Sequence, residues 1–200
     1  MSVYTRVSGT WREVEAPSVR VSGTWRDVDE QFVRVGGTWR SVYQSLGPDT
    51  EIGTFIEGGY FAGTITVDGN DFALICSPTS GHAEDKQWKT DSGSYTPGTS
   101  STVDGYTNSY NMNNTDHPAA YFCCNLTING YSDWYLPAKD ELDMLYQNQD
   151  VLGGFYSTAY WSSTEHSEGK AWMQNFGSGV QTDSWNTNYH YVRAVRRVLL

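Results

Sequence analysis

Three cysteines, Cys76, Cys123 and Cys124, and four histidines are the side chains of this 200-residue chain best suited to nucleophilic, redox or metal chemistry. An odd number of cysteines, two of them adjacent, does not make a disulfide framework, and no C-x-x-C or Cys/His array offers the ligand spacing of structural zinc. Buried free thiols are the expectation. No nucleophile-elbow motif and no paired-carboxylate signature stands beside the serines and histidines, so the sequence nominates no catalytic group, no metal and no cofactor. Binding chemistry is better represented. Between Tyr156 and Tyr191 the chain is rich in Tyr, Trp, Ser, Gly, Asn and His. Such residues give contact area and hydrogen bonds at low ordering cost. Tyr156, His166, Asn175, Trp185, Asn188, Tyr189 and His190 are the candidate contacts, read as lying on loops.

The elements that must position them are β-rich. Ile52–Phe55, Tyr60–Val67 and Phe72–Cys76 read as strands, the last two joined by an Asp68-Gly69-Asn70 turn into a hairpin. Residues 78–115 are polar and aperiodic and are expected to form a long surface excursion. Asp116-His117-Pro118 looks like a helix start, with Asp116 as the cap and Pro118 in the first turn. A second helix follows Leu136-Pro137, where Ala138, Leu142, Leu145 and Tyr146 recur at helical spacing and Asp140 and Glu141 complement the positive end. Strands return over 160–164, 171–176 and 191–198. The expected fold class is α+β, in a domain whose terminal strands can meet.

That domain is preceded by a repeat. Val7-Ser8-Gly9-Thr10-Trp11-Arg12, Val21-Ser22-Gly23-Thr24-Trp25-Arg26 and Val35-Gly36-Gly37-Thr38-Trp39-Arg40 recur at a period of 14 residues. Each copy reads as one β-hairpin, too short to bury a core alone, so residues 1–46 are assigned to assembly and attachment, with Trp11, Trp25 and Trp39 packing between repeats or chains. Residues 47–200 form the globular domain. The charge divides accordingly, with six Arg against five acidic residues before Gly47 and seven Lys and Arg against eighteen Asp and Glu after it. An acidic domain of this kind repels nucleic acid and anionic headgroups. No apolar run approaches the ~20 residues of a membrane span, and the N-terminal residues lack a secretory apolar region, so synthesis in a host cytoplasm without signal peptide or membrane insertion is expected.

Four motifs in order, Gly130–Leu142 with Trp134, Leu136 and Pro137, Tyr160–Glu165 with Trp161, Ala171–Phe176 with Trp172, and Tyr191–Arg196 with Arg193, resemble the Lcl C-terminal domain family. The resemblance covers about 47–198 and implies a variant of the C-type lectin fold, with Trp134, Leu136, Pro137, Trp161, Trp172 and Arg193 as scaffold and Arg193 paired with Glu165 or Asp133. Ala138 departs from the expected Thr or Ser cap. The architecture is shared with formylglycine-generating enzymes, but their cysteines are separated, whereas Cys123 and Cys124 are adjacent and point about 100° apart on a helix. The sugar-binding calcium triplets of such lectins are absent, Trp185-Asn186-Thr187 being a partial echo. The repeats resemble arrays common in bacteriophage tail proteins. Together these resemblances imply a virion tail fibre or tail-tip protein, homotrimeric, docked to other tail proteins and recognising a host-cell surface glycan or protein. The alternatives are a structural tail or baseplate component and a bacterial adhesin.

Overall fold

The computed structural model describes the backbone of six strands between Val3 and Gln44, and residues 46–47 and 49–200 in full. The chain divides into two compact units, Met1–Asp49 and Thr50–Leu200.

In the first unit each repeat is an antiparallel pair: β1 (Val3–Val7) with β2 (Thr10–Val14), β3 (Ser18–Val21) with β4 (Thr24–Asp27), and β5 (Glu30–Val35) with β6 (Thr38–Gln44). The registers are equivalent, with Arg6 opposite Trp11, Arg20 opposite Trp25 and Arg34 opposite Trp39. The 14-residue period is therefore one hairpin written three times. The packing expected of Trp11, Trp25 and Trp39 lies outside the described residues.

The second unit is built on two sheets. β7 (Phe55–Ile56), β8 (Gly59–Val67), β9 (Asn70–Cys76) and β15 (Val195–Leu199) form an antiparallel sheet in the order β15-β9-β8-β7. The turn between β8 and β9 places Asp68 and Gly69 at φ 50° and 79°, the left-handed pair that a tight hairpin twist demands. β15 returns beside β9, from Val195 opposite Cys76 to Leu199 opposite Phe72, so the end of the domain closes on its beginning. The other sheet has the order β10-β14-β11-β12-β13, from β10 (His82–Gln87), β11 (Ala159–Ser167), β12 (Lys170–Asn175), β13 (Gln181–Trp185) and β14 (Tyr189–Arg193). The fold is α+β, a lectin-like domain preceded by β-hairpins.

Four short helices complete the unit: α1 (Gly105–Asn111), α2 (Pro118–Cys124), α3 (Lys139–Gln147) and α4 (Gln149–Leu152). α3 buries Leu142 and Leu145 against Ala62, Leu74, Tyr135, Tyr160, Phe176 and Val195, which draws both sheets into one core. Buried indoles keep their donors satisfied, Trp88 Nε1 on Ser162 O at 2.9 Å and Trp161 Nε1 on Lys86 O at 2.8 Å.

Several expectations are corrected here. The 78–115 segment is not a plain excursion, since β10 joins the second sheet and α1 is capped by Asp104, whose Oδ1 accepts the Thr107 N–H at 2.9 Å. His117, not Asp116, sits at the cap of α2, with Pro118 in the first turn as expected. The 156–191 stretch is mostly four strands; its polar residues hid the pattern because β13 is half-buried along nearly its whole length and so lacks apolar alternation. Among the described residues Arg193 makes no carboxylate pair. Its buried guanidinium donates to Ser77 O at 2.9 Å and Gly154 O at 3.0 Å and lies 4.9 Å from the Phe155 ring centre. Asp133 is held instead by Arg196, Nε to Oδ1 at 2.8 Å and Nη2 to Oδ2 at 2.9 Å.

Candidate recognition surface

The seven candidate contacts do not form one surface. β14 runs from Tyr189, opposite Gln87, to Arg193, opposite His82, so its two ends stand roughly 13 Å apart at strand rise. Tyr156 belongs to the Arg193 end, where its ring lies 5.5 Å from His82 and 5.7 Å from Tyr191. Asn175 is at the far end of β12, and its Oδ1 accepts the N–H groups of Gly177 and Ser178 at 2.9 and 3.0 Å. Its amide oxygen is committed to closing that turn.

The other five gather at the Tyr189 end. Lys170 faces Trp185 and Trp172 faces Asp183 across β12 and β13. Lys170 Nζ reaches Asp183 Oδ2 at 2.6 Å and lies 5.1 Å from the Trp185 ring centre. The bond from Lys170 holds the Asp183 carboxyl below its ordinary range. The exposed His166 packs edge-on to the half-buried Trp172 at 4.8 Å, and Lys139 Nζ covers the same ring at 4.7 Å. Trp185 is 54% exposed and Tyr189 61% exposed. Between them Asn188 Nδ2 donates to Ser184 Oγ at 3.0 Å. His190 lies beneath, its ring 4.4 Å from Trp161 and its Nε2 2.9 Å from Ser184 Oγ; burial lowers its pKa, so it is a neutral support of the turn.

The turn itself is anchored in the domain. Asn186 N donates to Gly169 O at 2.9 Å, while Asn186 O accepts from Trp88 N and Lys89 N at 3.0 and 3.1 Å. Gly169, at φ 75°, lies under Trp185, and a Cβ there would meet Ser92 O at 2.8 Å. Asn186 is fully buried, so the lectin echo Trp185-Asn186-Thr187 does not present an exposed amide. Among the described residues no group of three or more His, Cys, Asp or Glu is placed to hold a metal ion.

The scaffold residues Trp134, Leu136, Pro137, Trp161 and Arg193 are buried, and Trp172 is half-buried. The thiols are not poised for chemistry. Burial pushes Cys76 and Cys123 up and Cys124 to about 11, so all three are neutral at pH 7. The sequence reading missed the exposed tyrosines Tyr95, Tyr106, Tyr110 and Tyr121. Tyr106 and Tyr110, one helical turn apart, would have signalled it had α1 been read as a helix.

A model of the Lcl C-terminal domain family matches residues 78–196, more than half of the chain. No curated protein matches significantly. A solved fimbrial protein from Bacteroides ovatus is similar at 13% identity and a TM-score of 0.43, with 97% of this chain and 56% of that one covered. This chain thus spans little more than half of that protein, and a likeness so slight carries no functional argument. The expectations of a phage tail protein, a virion and a trimer are corrected: the family match covers residues 78–196 of the lectin-like domain and supports none of the three. On the family match over 78–196, the chain belongs to the Lcl C-terminal domain family.

Proposed function

We propose that the chain is an adhesin-type recognition protein whose lectin-like domain binds a surface glycan or protein through the Tyr189 end of the second sheet, with the hairpin repeats serving assembly or attachment. The observation that carries this reading is the pairing of an exposed Trp185 and an exposed Tyr189 on one anchored turn. An indole half open to solvent offers an apolar face and a polar edge. Beside it, the Lys170–Asp183 pair and His166 supply a polar rim. A rim that is polar around an aromatic centre is how recognition surfaces concentrate their binding energy.

The test compares the wild-type chain with a Trp185→Ala, Tyr189→Ala variant in binding to bacterial and eukaryotic cell surfaces and to an immobilised glycan panel. Each aromatic removed from a buried contact costs about 2 kcal/mol or more, so the double variant loses binding by at least about a hundredfold at unchanged melting temperature. Full retention of binding by the variant defeats the assignment of this surface.

A further inference from the structure

A different part of the domain holds an open cleft. α1, α2 and the segment before α3 enclose a cleft of about 210 Å³. Trp134 and Tyr135, both buried, form its floor, and the exposed Tyr106 and Tyr110 form a wall one helical turn apart. Tyr106 is fixed from two sides: its ring stands edge-on to Tyr135 at 5.8 Å, and the Arg197 guanidinium lies 5.1 Å from its centre. Arg197 is itself held by Asp104 at 2.9 Å. The Tyr106 part of the wall is in place before any ligand arrives, which removes an ordering cost from binding.

The polar groups of the cleft divide into those that are committed and those that are free. Trp134 Nε1 donates to Tyr131 O at 3.0 Å, and the Tyr135 hydroxyl donates to Glu141 at 2.8 Å. Among the described residues the hydroxyls of Tyr106, Tyr110 and Ser132 find no hydrogen-bond partner. Asn113 uses its Oδ1 to accept from Asn125 at 3.1 Å and keeps its NH₂. Arg196, the guanidinium beside the cleft, is shared between Asp133 and Glu57. The Asp133 carboxylate has both oxygens on Arg196, and the Cys124 thiol that also lines the cleft stays neutral. An anionic ligand would meet two carboxylates whose guanidinium is already shared between them, and a cationic one would have to compete with Arg196 for Asp133, so either is a poor exchange for water. A neutral ligand that is hydroxyl-rich on its edges and apolar on its faces matches aromatic walls carrying free hydroxyls and an amide. The volume lies below the ~300 Å³ at which pockets for drug-sized ligands begin.

From this geometry we infer that the Tyr106–Tyr110 cleft is a binding site for a single neutral sugar ring. It shares no residue with the Trp185–Tyr189 surface and stands or falls separately from it. The experiment is an NMR titration of the full chain with methyl glycosides of neutral hexoses and N-acetylhexosamines, beside glucuronate and tetramethylammonium as charged controls. The expected result is saturable shifts of the Trp134 indole N–H and of α1 amides, with a Kd on the order of 1 mM as fits a single-ring ligand. Tyr110→Ala, at an exposed position, weakens this by about tenfold and Ser132→Ala by about threefold, whereas Trp185→Ala leaves it unchanged. No shift up to about 50 mM glycoside, binding of a charged control in place of the sugars, or shifts centred on Trp185 would each overturn the assignment.

Discussion

Glu141 gives the most quantitative handle on the domain. It lies in the first turn of α3 and is completely buried, with Oε2 accepting the Ala138 N–H at 2.7 Å and Oε1 accepting the Tyr135 hydroxyl at 2.8 Å. The Ala138 backbone thus receives the carboxylate half of a capping box, although Ala138 has no side-chain oxygen to return. Burial raises the Glu141 pKa from 4.5 to about 7, against the lowering effect of those hydrogen bonds and of Arg197. The folded protein therefore keeps this proton to about pH 7 while the unfolded chain loses it near 4.5, and the associated stability is complete below 4.5 and is lost as pH rises through 7. At 1.36 kcal/mol per pH unit that interval amounts to about 3 kcal/mol. His117 works in the opposite direction, since burial lowers its pKa from 6.5 to about 4 and the folded state gains as pH rises across that range. Glu141→Gln isolates the carboxylate: it keeps an acceptor for Ala138 N–H, can pair with Tyr135 and cannot ionise. Urea melts of both proteins should show the variant gaining about 3 kcal/mol on the wild type between pH 4.5 and 8, the His117 contribution cancelling in the difference. A difference that stays flat within about 0.5 kcal/mol would mean that Glu141 ionises normally and that its burial is not as described.

The remaining predictions test the bracing. Arg193→Met leaves the buried carbonyls of Ser77 and Gly154 without their charged donor; the loss is about 3 kcal/mol, or roughly 10 °C in calorimetry, and a change under about 1 kcal/mol would show that the guanidinium is not needed there. Gly105→Ala is informative in sign, because alanine normally favours a helix by about 1 kcal/mol. Here its Cβ would fall 2.3 Å from Glu141 Oε2, 2.5 Å from Ala138 N and 2.8 Å from Leu136 O, so chemical denaturation should show a net loss of about 2 kcal/mol.

What was legible in the sequence follows where hydrophobic periodicity and turn chemistry agree. The three hairpins and the Asp68-Gly69 turn have a local signature, and the α3 stripe of Leu142 and Leu145 has one that tertiary packing reinforces. β10 and β13 do not. His82–Gln87 and Gln181–Trp185 are polar on both faces, and they become strands only because a neighbouring strand offers a ladder. The arginine partners were also beyond the sequence. The peptide around Ala194 marks the passage from one sheet to the other, with Ala194 N donating to Gly81 O and Val195 bonded to Tyr135. Arg193 and Arg196 consequently serve different regions, and their spacing alone does not say which of them meets Asp133. The candidate contacts were chosen by residue type, which found the exposed Trp185 and Tyr189 but not the turn role of Asn175 or the half-buried, supporting ring of His190.

The C-terminal arginines explain how a domain built from short helices can present rigid surfaces. Arg193 ties the end of the first hairpin, at Ser77, to Gly154 after α4; Arg196 joins Asp133 to Glu57; Arg197 holds Asp104, the cap of α1. Buried or half-buried ion pairs contribute little net stability, because desolvation offsets most of the attraction. Their effect here is on geometry: α1 has seven residues, too few for a helix to persist alone, and Arg197 pins both its cap and the Tyr106 ring. Without that anchor Tyr106 and Tyr110 would have to be ordered by the ligand. The same logic applies to the anchored turn under Trp185. In both places the aromatic group is exposed while its backbone is fixed from within, the combination that lets a small contact area bind with little entropy to lose.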